Sequence, residues 1–349
     1  MWKEWNSKKN NFDKNKRTKS ILVYGVPSKQ IPDVSIIIPT FRRARLLKEA
    51  LDSALNQKGF GGRYEIIVVD NDGDVTPDTD SLMNEYTQKY KNVMYYRNET
   101  NIGLYGNWNR CIELCRTDWF CMLHDDDLLV ENYLSTVFPH IKTESDLGLL
   151  GVYASILDNR QEDKVQARIH DSELENLFIR LRDGKPIPLT IYDNIKRIHL
   201  LSVAILVNKQ KAIELGGIDD RYYPGDAVFY AKVAYYYRSL FLPERLCYYR
   251  IASNDSLSAD TCVKNVRTIY QMTKAMVESV YHGKKNRLLP IINAVLQEES
   301  NDKFNPNVDY NMLWEELGIS RIYDNRIVRL LITVYYKLSW AMLFFRPEK

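Results

Sequence analysis

Short apolar runs alternate with helical patterns through the first half of the chain. Residues 34–38 form a nearly continuous run of β-branched side chains that ends at Pro39, which is typical of a buried parallel strand. Further apolar runs predict strands at 65–69, 93–96 and 119–123. Apolar residues at helical spacing predict the intervening helices at 43–56, 79–91 and 107–116. Strands and helices in this order predict an α/β fold with a doubly wound, mainly parallel sheet flanked by helices.

The second half of the chain has a less regular pattern. Residues 158–198 are charged and weakly periodic, which predicts a variable excursion. A strand at 202–207 is followed by a helix that ends at Gly216 and Gly217. A tyrosine-rich helix and a short strand pair are predicted next, at 226–238 and 241–249, and the rest of the chain is predicted to be mostly helical.

Polar residues follow four of the predicted strands. In sheets of this kind, ligands bind beyond the carboxyl ends of the strands. The polar groups at those ends are Thr40 and Arg42, Asp70 and Asn71, Asn98 to Gly103, and His124 to Asp127. The sequence therefore predicts a binding site where these four loops meet.

Composition narrows the class of protein. With 349 residues, 45% of them hydrophobic, the chain is long enough to bury a full core. A net charge of +3 is too small to indicate a nucleic-acid partner. The five cysteines include no CxxC pair and no spacing suited to zinc, which fits a reducing cytoplasm.

Basic residues crowd the first twenty positions, where seven lysines and arginines stand against Glu4 and Asp13. No apolar stretch follows them, so the segment does not have the pattern of a signal peptide. We expect residues 1–32 to be a basic N-terminal tail, solvated and partly disordered. The alternative is an arm that binds anionic lipid headgroups.

Three adjacent aspartates, Asp125 to Asp127, come directly after an apolar strand. Like charges at this spacing repel, and a divalent cation would relieve the repulsion. Hard oxygen ligands favour Mg²⁺ or Mn²⁺, with phosphate oxygens completing the coordination shell. The structural alternative is a solvated turn or a helix cap, but the place of the run among the other polar loops favours a metal site.

Four blocks of the sequence together resemble the family 2 glycosyltransferases. They are Val34 to Arg43, Ile66 to Asn71, Asn101 to Gly103, and His124 to Asp127. The likeness runs from about residue 33 to about residue 258, with the blocks in the family's order. It implies a GT-A fold over 33–258, with a nucleotide-binding half at about 33–130 and an acceptor half at about 131–258. Residues 259–349 then form a helical C-terminal region.

The resemblance implies an inverting transfer from a nucleoside-diphosphate sugar, with a UDP-sugar favoured. It places Pro39, Thr40 and Arg42 against the nucleotide. Asp70 and Asn71 fall where the family reads the base, although the common form of that turn has two aspartates. The donor-site loop of the family corresponds to Asn101 and Gly103.

The family's metal motif is usually Asp-x-Asp, and two registers fit this sequence. The first places the motif at His124, Asp125 and Asp126, and the second at Asp125 to Asp127. We prefer the first, which makes Asp126 the metal ligand and puts Asp125 nearer the ribose or sugar. Asp127 is the further candidate ligand, and His124 is expected to line the pocket.

An inverting transfer needs a general base for the acceptor hydroxyl. In the family this base is an aspartate that begins a helix after a Gly-Gly-Phe-Asp segment, and the resemblance places it at Asp226. An ordinary helix cap is the alternative for this residue. Gly225 replaces the glutamate that usually precedes the base, and Ala252 stands where the family often has histidine.

The resulting prediction is an enzyme, a hexosyltransferase-like glycosyltransferase that acts on a glycan or lipid-linked acceptor in bacterial-type surface polysaccharide synthesis. Two other readings remain open. The departures at Gly225 and Ala252 suggest a binding homologue that has lost catalysis. A sugar-phosphate nucleotidyltransferase shares the α/β core and metal aspartates, but residues 41–45 lack the glycine-rich loop expected of that class.

Residues 326–345 form an apolar segment that Arg329 and Lys337 interrupt, which argues against a transmembrane span. The pattern predicts an amphipathic helix with a basic face, suited to contact with a membrane surface. Packing on the catalytic domain or on a second copy of the chain, as a homodimer, is the alternative. We expect a cytoplasmic protein, peripheral at the inner face of the membrane if this helix binds lipid.

Overall fold

A computed structural model of the chain describes residues 7–142, 146–159, 168–170, 183–189, 203–251, 258–280, 289, 292, 293, 297, 307–319 and 334. Ala252 and, apart from residue 334, the predicted helix at 326–345 lie outside these residues. So does most of the predicted excursion at 158–198. No helix in the described part of the chain is long and apolar enough to cross a membrane.

One mixed sheet runs through the described part of the chain. Its strands are β1 (Ser20–Tyr24), β2 (Val34–Thr40), β3 (Tyr64–Asp70), β4 (Val93–Asn98), β5 (Trp119–Met122), β6 (Leu128–Leu129), β7 (Leu147–Asp158), β8 (Arg168–His170), β9 (Ile187–Leu189), β10 (Leu206–Asn208) and β11 (Arg238–Ile251). The helices are α1 (Ala44–Leu55), α2 (Pro77–Lys89), α3 (Leu104–Leu114), α4 (Tyr133–Lys142), α5 (Lys209–Glu214), α6 (Gly225–Tyr236), α7 (Ala259–Val280) and α8 (Tyr310–Glu316).

The parallel core predicted for the first half is confirmed. Strands β4, β3, β2 and β5 lie side by side and pair in parallel. The register sets Thr40 opposite Asp70, and Asp70 opposite Arg97, so the carboxyl ends of three strands align at one edge. Because α1, α2 and α3 connect these strands, the loops that begin each helix meet at that edge.

Antiparallel strands join this core in the second half, so the whole sheet is mixed rather than mainly parallel. Strand β10 pairs antiparallel with both β5 and β7. It begins at Leu206 instead of residue 202, and Ala204 before it has a φ of 54°, a left-handed conformation that a strand cannot contain. Strand β11 returns the sheet to parallel pairing, against β7.

The short strand pair expected at 241–249 is wrong. A single long strand, β11, spans Arg238–Ile251 and pairs with β7 along its length. The register shifts between Leu242 and Arg245, so Pro243 and Glu244 lie in a bulge instead of a hairpin turn. A proline within a strand pattern is compatible with a hairpin turn or with a bulge. Pairing with β7 on both sides of Pro243 shows that it is a bulge.

Apolar side chains are buried on both faces of the sheet, which explains the continuous apolar runs. In β2, Ile36 and Ile38 belong to one core cluster and Ile37 to the cluster on the other face. A third cluster joins α6 to α7 and α8, with Met276 and Trp314 among its buried members. The described parts of the C-terminal helices α7 and α8 therefore pack against α6.

The expectation of a solvated N-terminal tail is corrected for residues 7–24. Phe12 is buried in the same core cluster as Tyr105 and Trp108. Strand β1 follows and pairs antiparallel with β4, forming one edge of the sheet. The basic residues of this segment had suggested solvent exposure, whereas Phe12 and the strand pattern from Ser20 to Tyr24 anchor it.

Candidate functional site

The end of β2 is joined directly to the acidic run. Thr40 is buried, and its hydroxyl Oγ1 donates to Asp125 Oδ2 over 2.8 Å. Pro39 precedes it in the strand, buried and paired in register with Val69 of β3. Burial raises the pKa of Asp125 to about 6, with the nearby charge of Asp126 adding to the effect and that of Arg43 opposing it. Two of the predicted loops thus meet at a buried, hydrogen-bonded carboxyl group.

Asn71 holds the predicted donor-site loop in place. Its side-chain Nδ2 donates to Asn101 Oδ1 over 3.0 Å and to the Gly103 carbonyl over 3.2 Å. Its Oδ1 accepts from Asn98 Nδ2 and from the Ile102 N–H, each over 3.0 Å. Both ends of the amide are engaged, and an aspartate would lack the two Nδ2 donors. The asparagine at this position therefore fits the fold of its own loop.

Asp70 and Asp72 flank this amide, and both are buried. The Tyr95 hydroxyl donates to Asp70 Oδ2 over 2.8 Å, and the Asp72 N–H donates to Asp70 Oδ1 over 3.1 Å. Burial raises the pKa of Asp70, although the hydrogen bond from Tyr95 acts in the opposite direction. The side chain of Asp70 is thus buried beneath the loop that follows β3. The sequence alone had indicated no role for Asp72.

Arg42 pairs with Asp72 rather than with the acidic run. Its Nε lies 2.6 Å from Asp72 Oδ2 and its Nη2 lies 3.1 Å from Asp72 Oδ1, a bidentate contact. This pairing lowers the pKa of Asp72 to about 2. Arg42 has a φ of 55°, which turns the chain so that Arg42 and Arg43 point to different carboxylates.

Arg43 bridges the first two aspartates of the run. Its Nη1 lies 3.3 Å from Asp125 Oδ1 and 3.1 Å from Asp126 Oδ2. Sequence reasoning selected Arg42 and gave Arg43 no role of its own, because two adjacent arginines after a strand cannot be ranked without the local φ. The guanidinium supplies positive charge beside the carboxylates that would otherwise repel one another.

His124 is stacked on Trp108, with ring centroids 4.7 Å apart and planes 19° from parallel. Its Nδ1 lies 3.4 Å from Asp127 Oδ2. Burial acts to lower the pKa of His124, but contact with Asp127 and the charges of Asp126 and Asp226 outweigh it and raise the pKa to about 9. Burial raises the pKa of Asp127, and His124 opposes that shift.

Three side chains of the acidic run could hold a metal ion together. One ligand atom from each of His124, Asp126 and Asp127 lies within 4.8 Å of the others. His124 Nε2 is buried and lacks a hydrogen-bond partner among the described residues, and Asp127 Oδ2 is buried with only the 3.4 Å contact to His124 Nδ1. Buried polar atoms of this kind are costly, and a cation held by the group would compensate for that cost. Asp125 is not a member of this group, because its oxygens face Thr40 and Arg43.

Arg250 fixes the backbone of the run from β11. Its N–H donates to Asp127 Oδ1 over 2.9 Å and its Nε donates to the Asp126 carbonyl over 2.7 Å. Its Nη2 lies 2.5 Å from Glu49 Oε2 of α1. The guanidinium thus contacts both the Asp126 carbonyl and the Glu49 carboxylate, which fits a residue that holds the acidic run in position.

Asp226 lies in the first turn of α6. It is near enough to His124 for its charge to raise the pKa of that imidazole. A row of aromatic rings runs from the residues just before α6 to His124. Tyr105 packs edge-on against Trp108, with ring centroids 5.4 Å apart, and its ring lies 6.2 Å from that of Tyr223.

A cavity of about 330 Å³ lies at the other edge of the sheet. It is lined by residues that precede β2 and β5, including Asp33 and Arg116, and by the end of α4. Arg116 is engaged with Glu65 and with the Ser28 carbonyl there. Among the described residues, the amino ends of the strands bring no buried polar atoms without partners to this cavity, so the candidate site remains at the carboxyl edge.

Comparison with known proteins agrees with this fold. The profile of glycosyl transferase family 2 matches residues 35–206. A fragment of S. aureus TarS in complex with UDP-GlcNAc has a TM-score of 0.53 at 13% identity, over 89% of this chain and 92% of that one. The mannosyltransferase PcManGT from Pyrobaculum calidifontis, in complex with GDP-Man and Mn²⁺, has a TM-score of 0.51 at 15% identity, over 93% and 89% of the two chains.

Curated relatives are similar over a shorter segment. An uncharacterized glycosyltransferase of Methanocaldococcus jannaschii is 27% identical over 128 residues, 36% of this chain and 43% of that protein. The abequosyltransferase of Salmonella typhimurium is 28% identical over 117 residues, 33% and 34% of the two. The poly(ribitol-phosphate) beta-glucosyltransferase of Bacillus spizizenii is 32% identical over 118 residues, 33% and 18%. The match spans less than half the length of each of these relatives.

The described sheet and its helices have the GT-A fold of glycosyltransferases. Residues 35–206 match the model of glycosyl transferase family 2, so this part of the chain belongs to that family.

Proposed function

We propose that the protein is an inverting glycosyltransferase that moves a sugar from a nucleoside-diphosphate sugar, with a UDP-sugar favoured, to a glycan or lipid-linked acceptor of a surface polysaccharide. Family membership supports the reaction class. UDP-GlcNAc bound to S. aureus TarS, and the polymer and lipid-linked acceptors in the names of relatives, support the substrate classes. The observation that carries the proposal is the group of His124, Asp126 and Asp127, whose ligand atoms lie within 4.8 Å of one another at the edge where the polar loops meet.

The cluster fits a divalent metal. His124 Nε2, Asp127 Oδ2 and a carboxylate oxygen of Asp126 are the atoms that would hold Mn²⁺ or Mg²⁺. When bound, such an ion would neutralise charge on the departing diphosphate. Arg43 would have to release Asp126 for the ion to bind there, and its guanidinium would then be available to phosphate oxygens.

The nucleotide would lie over the loops that follow β2, β3 and β4. Thr40 and Asp125 form the buried floor between the first of these loops and the acidic run. The loop of Asn101 and Gly103, held by Asn71, would form a second wall. The pair of Arg42 and Asp72 closes the side between β2 and β3.

Asp226 would be the general base of the transfer. Its carboxylate would take the proton of the acceptor hydroxyl as that oxygen attacks the anomeric carbon, while the bond from that carbon to the diphosphate oxygen breaks. The nucleoside diphosphate leaves with the bonding electrons, and the sugar inverts at the anomeric centre. The position of Asp226 in the first turn of α6, within electrostatic reach of His124, supports this role.

A calorimetric screen of UDP-, GDP- and dTDP-sugars, with and without Mn²⁺, tests the donor and metal parts of the proposal. We expect one nucleotide class to bind and its affinity to rise with Mn²⁺. Asp126→Ala should abolish the metal-dependent gain, whereas Asp260→Asn, a change of an exposed carboxylate on α7, should leave it intact. No binding of any sugar nucleotide under either condition would refute the proposal.

The base is tested by Asp226→Asn. This variant should bind the donor as the wild type does. Its turnover rate, measured as release of nucleoside diphosphate from the donor, should fall by about 10²–10⁴-fold. A variant that retains full turnover would remove Asp226 as the base. If the wild type binds donor but supports no turnover with any acceptor or with water, the chain is a nucleotide-sugar-binding homologue, the second candidate that Gly225 and Ala252 suggest.

A further inference from the structure

Residues 7–15, which we call the N-terminal strap, lie across the loop that precedes the candidate base. The N–H and the side-chain Nδ2 of Asn11 both donate to the Gly216 carbonyl, over 2.9 and 3.0 Å. Asn11 Nδ2 also donates to the Lys9 carbonyl over 3.1 Å, and the side chain is buried. Lys14 pairs with Asp220 at the far end of the same loop.

Two glycines of this loop leave room for the strap. A Cβ on Gly216 would stand 2.0 Å from the Lys9 carbonyl oxygen, and a Cβ on Gly217 would stand 2.7 Å from the Phe12 ring. Both glycines have positive φ, 83° and 70°. The loop therefore has the conformation and the clearance that close contact with the strap requires.

The strap also reaches the helix that carries Asp226. Lys232 is a buried residue of α6, and its Nζ donates to the Ser7 carbonyl over 2.6 Å and to the Leu215 carbonyl over 2.9 Å. One ammonium group thus ties the helix to the strap and to the loop. Phe12 packs in the core cluster that contains Phe229 of the same helix.

We propose that the N-terminal strap positions α6, and through it Asp226, so that turnover depends on a segment distant in sequence from the acidic run. The inference rests on the proposed function of Asp226. In an inverting transfer, the base must lie within hydrogen-bond reach of the acceptor hydroxyl, and a displacement of about 1 Å can cost on the order of 100-fold in rate. Asn11 and Lys232 are then positioning residues, because they act through the loop and the helix.

Asn11→Ala removes the side-chain hydrogen bond to Gly216. Lys232→Met removes the hydrogen bonds from α6 to Ser7 and Leu215 while keeping a side chain of similar size. The matched control is Asn92→Ala, which removes an asparagine bond to the Tyr64 carbonyl at the amino ends of β3 and β4. Three measurements are made on the full chain: hydrogen exchange of residues 210–237, donor affinity by calorimetry, and release of nucleoside diphosphate from the donor that the screen identifies.

For both strap variants we expect exchange in α6 to become roughly fivefold faster and turnover to fall about 10- to 100-fold, with donor affinity and donor KM unchanged. The double variant should lose little more than either single one, since both changes loosen the same strap from the loop and helix that it positions. Asn92→Ala should change neither exchange in α6 nor turnover.

Unchanged exchange in α6, or faster exchange with normal turnover, would overturn the inference. So would a fall in turnover that Asn92→Ala reproduces. Failure of the proposed function gives a different result, because Asp226→Asn would then turn over normally. The exchange measurement on the strap variants does not depend on activity.

Discussion

Tyr105 fills the space in which a side chain at position 225 would lie. A Cβ on Gly225 would stand 2.9 Å from two ring carbons of Tyr105 and 3.1 Å from Ile218. The Gly225 N–H donates to the Tyr105 hydroxyl over 2.8 Å. The glycine that replaces the family's usual glutamate is therefore explained by packing, and it is not by itself a sign of lost catalysis.

Gly225→Ala tests this reading of the packing. Alanine is otherwise favoured over glycine in a helix, so destabilisation would come from the overlap with Tyr105, and we expect a loss of about 1–3 kcal/mol. The measurement is urea unfolding. Gly61→Ala is the matched control, because a Cβ there meets nothing within 4 Å, and it should change stability little. Equal effects of the two changes would contradict the role of Tyr105.

Arg43 pairs with Asp126, the proposed metal ligand, so we expect it to compete with a metal ion for that carboxylate. In Arg43→Gln, Mn²⁺ should bind roughly two- to tenfold more tightly, since the ion no longer displaces a guanidinium pair of about 0.2–1 kcal/mol per contact. The metal-free variant should unfold at a lower temperature, and Mn²⁺ should raise its midpoint by more than in the wild type. Arg45→Gln, a change of a largely exposed arginine, is the control. Identical metal affinities in Arg43→Gln and the wild type would show that Arg43 does not shield the site.

The residue types of the site could be read from the sequence, but their partners could not. Asn71 and the loop of Asn101 and Gly103 were selected together, and the structure shows them hydrogen-bonded to one another. Arg42 was selected for the nucleotide, yet its partner is Asp72 and the arginine at the acidic run is Arg43. That difference depends on a φ of 55° at Arg42, a property that residue type alone does not specify.

Helix α6 carries a buried cation on the element that also carries Asp226. Burial lowers the pKa of Lys232 to about 8, with Lys8 and Arg221 acting in the same direction and Asp219 against it. A lysine in an apolar setting is tolerated here because the carbonyls of Ser7 and Leu215 accept hydrogen bonds from its ammonium group. The helix is therefore held at its middle by a group whose charge depends on pH.

This buried lysine predicts a pH dependence of stability. Between the folded pKa of about 8 and the unfolded value of 10.5, the unfolded state binds more protons, so stability should rise with pH in that window. Lys232→Met removes the contribution. Urea unfolding at about pH 7 and about pH 10 should show the wild type gaining stability relative to the variant at the higher pH. A constant difference between the two proteins would show that Lys232 is not buried as the structure places it.

Helices and strands with a clear hydrophobic period in the sequence could be predicted. Elements whose limits depend on pairing with distant segments could not. The strand beginning at Val34 and the helix over Ala44–Leu55 follow from local patterns of buried residues. The bulge at Pro243 and the late start of β10 depend on pairing with β7, which lies far away in sequence. The N-terminal strap was also not predictable, because its position depends on contacts with the distant loop at Gly216 and with the core cluster around Phe12.

Segments from the two halves of the sequence meet at Arg250. This residue lies near the end of β11 and contacts Asp126 and Asp127, which follow β5. Its third contact is Glu49 of α1, so a single side chain connects three separate segments around the candidate metal site. The long strand β11, rather than the predicted hairpin, is what brings Arg250 to this position.

Arg250→Lys tests this connection across the whole molecule. Lysine keeps the charge but cannot reach the Asp126 carbonyl and Glu49 together in the geometry of a guanidinium, so we expect a loss of about 1–3 kcal/mol in urea unfolding. Metal-dependent donor affinity should fall as well, because the backbone of Asp126 loses a fixed donor. Arg245→Lys, on the same strand and bonded to the Ala154 carbonyl, is the matched control and should leave donor affinity unchanged. If both variants weaken donor binding equally, the effect belongs to the strand as a whole, and Arg250 has no special part in joining the two halves.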